Sequence, residues 1–108
     1  MPNGADKNFR RLVATIAAYH ERFKDWPTEV RVAPWAIWSL AQLLDLENFE
    51  KLGNRVRLGT TLRTSFAAGS SRGRVLYESM QDGPTYDSVQ AAEAWLGVRV
   101  RPEFLHTD

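Results

Sequence analysis

The apolar positions at the start of the chain recur at helical spacing. Phe9, Leu12, Val13, Ile16, His20 and Phe23 share one stripe, while Arg10, Arg11, Ala14, Thr15, Ala18, Glu21 and Arg22 form the other side. The pattern predicts a first helix over about 6–24. Trp26-Pro27 ends it, because the residue before a proline is driven out of the α region. Glu29-Val30-Arg31-Val32 alternates with period two, which predicts a short strand with both valines facing inward. Pro34 suits the first turn of a second helix running to about Leu44, since its missing N–H has no partner to lose there. A third helix is expected near 47–52, stopped by Gly53. Strands are expected at 55–58, 60–67 and 74–79, with a hairpin turn in Gly69-Ser70-Ser71-Arg72-Gly73. Asp87 and Gln90 have capping-box spacing for a last helix ending near Leu96 and Gly97, and Val98-Arg99-Val100 reads as an edge strand.

These elements form one unit spanning 1–108, with 1–5 and 102–108 frayed. Helices lead and strands cluster in the middle and C-terminal half. The expected fold is therefore α+β: a small, mostly antiparallel sheet packed by three or four helices. Its core should unite Phe9, Leu12, Val13, Ile16, Phe23, Val30, Val32, Ile37, Leu40, Leu44, Val56 and Leu58, the inward positions of two helices and two strands.

The second helix breaks the amphipathic pattern. Trp35, Ala36, Ile37, Trp38, Leu40, Ala41, Leu43 and Leu44 are all apolar. Stepping about 100° per residue centres Ile37, Leu40 and Leu44 on one face and puts Ser39 and Gln42 opposite, with Trp35 between those two and Trp38 at the boundary. Either a second layer of the same domain covers the tryptophans or a partner does. Tryptophan is enriched among binding hot spots, so Trp35 and Trp38 are the candidate partner-binding residues.

Bulk composition adds little. The chain has 108 residues, 44% apolar and 25% charged, with a formal charge of +1, an ordinary globular balance. Charge distribution says more. Between Lys51 and Tyr77 lie Lys51, Arg55, Arg57, Arg63, Arg72 and Arg74, with no Asp or Glu. Arginine's planar fork matches phosphate, so Arg55, Arg57, Arg63, Arg72 and Arg74 are candidates for binding nucleic acid or a phosphorylated ligand. The plainer reading is a solvated sheet face whose arginines pair with Glu47, Glu50 or Glu78 and protect the sheet from aggregation. No RNA-recognition signature accompanies them, because Phe66 is the one aromatic in that stretch before Tyr77.

The chain has no cysteine, which excludes disulfides, thiolate nucleophiles and cysteine-based zinc sites. A reducing, cytoplasmic setting is the expectation, and the N-terminal residues show no signal-peptide apolar run. The longest apolar-rich stretch, 33–44, is too short to span a membrane. His20, mid-stripe on the first helix, reads as a core-edge residue with one ring nitrogen hydrogen-bonded. His106 lies in the tail, too far along the chain to complete a metal site. Glu47 and Glu50 share a helix face but read as solvated. Gly69–Gly73 fits neither a Walker A loop nor a nucleophile elbow, and no set of nucleophile, base and orienting group can be assembled. The leading expectation is a non-catalytic protein-interaction or regulatory module without a cofactor, whose partner is another protein or a second copy of itself. Nucleic-acid or phosphate-ligand binding through 51–74 is the alternative, and an enzyme ranks third.

Overall fold

The computed structural model describes residues 4–101. The chain is α+β. Helix α1 (Gly4–Phe23) leads to strand β1 (Glu29–Val32), then helices α2 (Pro34–Leu43) and α3 (Leu46–Arg55). Strands β2 (Arg57–Thr60), β3 (Phe66–Ser70) and β4 (Gly73–Leu76) follow. A 3-10 turn (Tyr77–Ser79) and helix α4 (Tyr86–Leu96) complete it.

The four strands are ordered β2-β1-β3-β4. β1 pairs with β3, and β3 with β4, antiparallel, but β1 and β2 are parallel. The sheet is thus mixed rather than mostly antiparallel. Parallel neighbours need a long crossover, and α2 with α3 supplies it.

Helix α1 lies against the sheet and is flanked by α2 and α4, so it buries more than one stripe. Leu12, Ile16, Ala17, Ala18, Tyr19 and Thr15 are all inaccessible to solvent. Thr15 and Ala18, expected on the outer side, are enclosed because the sheet and its flanking segments reach that side, where neighbouring Arg11 lies over Phe66 and Tyr19 bonds to Ser70. Thr15 Oγ1 donates back to the Arg11 carbonyl (2.8 Å), which satisfies its hydroxyl in the interior. The expected core assembles: Phe9, Leu12, Val13, Ile16, Val30, Val32, Leu40, Leu44 and Val56 are buried together. Phe23, Ile37 and Leu58 pack against it half-buried.

Several boundaries differ from expectation. Gly53 does not stop α3, which runs to Arg55 from an N-cap at Asp45, whose carboxylate accepts the Asn48 N–H (2.8 Å). The strand expected at 55–58 therefore starts two residues later, and Arg55 belongs to the helix. Residues 61–65 form a loop rather than a strand, held by Thr61 N–H to Val32 O (3.0 Å) and Ala33 N–H to Ser65 O (3.2 Å). The hairpin pairs Ser70 with Gly73, leaving Ser71-Arg72 as a two-residue turn. Gly73 has φ +136°, and Phe23 Cζ would lie 3.3 Å from a Cβ there, so both backbone and packing call for glycine. Helix α4 is capped by Thr85 rather than by Asp87, with Thr85 Oγ1 accepting the Ser88 N–H (3.2 Å). Residues 98–100 join no ladder; their backbone runs beside the helices, Arg101 N–H reaching Leu43 O (3.0 Å). Of the ends expected to fray, Gly4 and Ala5 lie within α1. The rest, including His106, fall outside the described residues. No described helix is long and apolar enough to cross a membrane.

Candidate functional site

Two surfaces and one half-buried column gather the residues singled out by sequence. The first surface is the outer side of α2. Its buried side is Ala36, Leu40 and Leu43, rotated slightly from the expected Ile37-centred face. The rotation follows from α1, whose Asn8 donates to Ser39 Oγ (3.2 Å) and draws the hydroxyl inward. Trp35 and Trp38 are left on the outside, 53% and 67% exposed. No second layer of the described residues closes over them. Leu46 (74%) begins α3 just past the C-terminal end of α2. Leu62 (91%) sits in the 61–65 loop, whose backbone bonds to Val32 and Ala33 tether it beside the N-terminal end of α2. Four of the five large exposed apolar residues among those described thus belong to α2 or its flanks; Tyr86 is the fifth. Sequence patterning did not single out Leu46, which stands alone beside a helix end, or Leu62, which falls at an alternating position of the strand expected over 60–67.

The second surface is the sheet face turned away from the helices. Side chains alternate across a strand, so Val30 and Val32 face inward and Glu29 and Arg31 outward. Strand register then lines up Arg57, Glu29, Gly69 and Arg74 in one row across all four strands. Gly59, Arg31, Ala67 and Leu76 form the next row. Glu29 Oε1 accepts Arg31 Nε–H (2.9 Å), and its Oε2 lies 3.9 Å from Arg57 Nε. Thr28, Glu29, Arg31, Arg57, Gly69, Ser70, Ser71, Gly73 and Arg74 line an open cleft of about 520 Å³.

The structure separates the arginines that composition grouped. Arg57 and Arg74 share the cleft. Arg72 is directed to the helical side, donating to Phe23 O (3.3 Å) with Asp25 at 3.8 Å. Arg63 is exposed in the 61–65 loop. Arg55 lies over Trp95 at the end of α3. Arg31 joins the cleft although it precedes the basic stretch; the alternation at 29–32 already set it opposite the valines. The acids expected as partners are differently engaged: Glu47 meets Lys51 (3.6 Å) and Glu78 meets Arg11.

The column is formed by four planar groups. His20 stacks on Trp26 (centroids 3.8 Å apart), Trp26 on Trp95 (4.7 Å), and the Arg55 guanidinium lies 5.8 Å from the Trp95 ring. His20 is half-buried in this stack, and its Nδ1 is buried and bonds to no protein group. Nearby, Glu21 accepts the Thr85 N–H (2.6 Å) at the start of α4, and this bond holds its carboxyl below the usual range. Tyr19 bonds to Ser70 on β3, and burial raises its phenol above the ordinary value. No three histidine, aspartate or glutamate side chains among the described residues form a cluster that could hold a metal. No protein-family model, curated protein or solved structure matches the chain.

Proposed function

We propose that the chain is a non-catalytic interaction module that docks another protein through the outer side of α2. One observation supports this reading: Trp35 and Trp38 stand more than half exposed, with Leu46 and Leu62 at the two ends of their helix. Exposed tryptophan is unfavourable in water and typical of the centre of a protein interface. The partner presents an apolar surface to this helix. The test is a photo-crosslinker introduced at Gln42, exposed on the same side, followed by identification of what is captured. Capture that disappears in Trp35→Ala and Trp38→Ala, with the fold intact, supports the reading. Capture unchanged by both substitutions overturns it. Sedimentation velocity across a concentration series separates a second copy of the chain from a different protein.

A further inference from the structure

The cleft on the open sheet face is independent of the α2 surface, and its chemistry is different. Arg31, Arg57 and Arg74 come from three strands, and only strand register brings them together. They share the cleft with one carboxylate, Glu29, so the site carries an excess of positive charge. Glu29 is already engaged by Arg31 and leaned on by Arg57. Arg74 has no acidic partner among the described residues.

We propose that this cleft binds a phosphate monoester carried by a small molecule, held between Arg57 and Arg74. The two residues occupy the outer strands of one cross-sheet row, three strand spacings or roughly 14 Å apart between backbones. Both lean inward over the sheet: Arg57 Nε lies 3.9 Å from Glu29 Oε2 on β1, and the Arg74 stem lies beside Gly69 on β3, so the proposed anion sits over the two central strands between them. Guanidinium forks on phosphate make paired, charge-assisted hydrogen bonds. Glycine keeps the floor low. A Cβ at Gly59 would meet Glu29 Oε2 at 3.6 Å and Arg31 Cγ at 3.7 Å, and one at Gly69 would meet the Arg74 stem at 3.8 Å. The Glu29–Arg31 pair thus lies across β2, and Arg74 rises beside bare backbone. Thr28 and Ser71 add hydroxyls at the rim. At about 520 Å³ the cleft also has room for the body of a small ligand. A nucleic-acid strand fits less well. No aromatic side chain lines the cleft for base stacking, and Arg55, Arg63 and Arg72 do not extend it into a track.

The test is titration of the ¹⁵N-labelled chain with inorganic phosphate and phenyl phosphate at constant ionic strength. Adenosine monophosphate and a hexose phosphate serve as arms that separate a nucleotide from a sugar phosphate. Saturable shifts confined to residues 28–31, 57–59 and 69–74 are expected. Arg57→Ala or Arg74→Ala should weaken binding by about tenfold or more, the loss of one charge-assisted contact. Arg55→Ala should leave it unchanged. Arg57 and Arg74 are both exposed, and the same spectra report whether each variant remains folded; Arg74→Gln provides a second, larger replacement. No saturation with any phosphate, an equal loss in Arg55→Ala, or tighter binding of a single-stranded oligonucleotide than of the monoesters would each overturn the proposal.

Discussion

Trp38→Ala separates a docking residue from a core residue by magnitude. A tryptophan side chain offers up to about 250 Å². With Trp38 67% exposed, roughly 80 Å² is covered within the chain and about 170 Å² is left for a partner. At about 25 cal/mol per Å², these areas correspond to ~2 kcal/mol in folding and ~4 kcal/mol in docking. Alanine retains part of the covered area, and the unfolded chain already shields some, so the expected folding loss is about 1 kcal/mol. The midpoint of a thermal melt should fall by roughly 4–8 °C at most. Docking should weaken by about 2–4 kcal/mol, the range of a hot spot. Leu40→Ala is the opposite control: Leu40 is fully buried, and its truncation should cost about 2–5 kcal/mol in folding. Urea titration of both variants, beside calorimetry with the crosslinked partner, measures the two quantities. A folding loss above about 3 kcal/mol for Trp38→Ala, with docking unchanged in the folded fraction, would refute the reasoning.

Glu21→Gln should flatten the acid limb of the stability curve. The folded-state pKa of Glu21 lies below its ordinary value of 4.5, chiefly because of the Thr85 N–H. Its contribution is therefore complete above that value and lost as pH falls through the depressed one, so urea midpoints of wild type and variant should converge in strong acid. Asp45→Ala removes the cap of α3 and should lower the urea midpoint, whereas Asp45→Asn should lower it less because it can still accept the Asn48 N–H.

The α+β class and most of the core were legible because burial imposes periodicity. The valines of β1 and the stripe of α1 followed directly from it. What was lost has identifiable causes. Gly53 signals a helix end only where it adopts positive φ, and here it does not; α3 therefore absorbed Arg55. That one shift separated Arg55 from Arg57 and dismantled the pair expected on a single strand. The parallel β1–β2 pairing was hidden because local patterns carry no information about which distant strands meet. Arg31 was missed for the same reason: it enters the cleft through register with β2 and β3, not through proximity to the other arginines. The tryptophans were easier in part: helical phase put Trp35 opposite the apolar face and Trp38 at its boundary, but phase alone could not say whether another layer of the chain covers them.

The solvated-face reading of the arginines and the phosphate cleft make opposite demands on Arg74. A face kept charged only to resist aggregation needs some charge at position 74 and is indifferent to its sign. Arg31, Arg57 and Arg74 face outward together with Glu29 as the one intervening acid, so Arg74→Glu lowers mutual repulsion. Because these side chains are exposed, the gain is small, about 0–1 kcal/mol, and should shrink as salt is added. A site that holds a dianion between Arg57 and Arg74 loses one grip and acquires a repelling carboxylate. The same substitution should then leave the urea midpoint unchanged or slightly raised while abolishing phosphate binding. A stabilising change that destroys binding marks a residue retained for its ligand at some cost to the fold. If phosphate binds Arg74→Glu as well as wild type, the arginines of this sheet are a solvated face and nothing more.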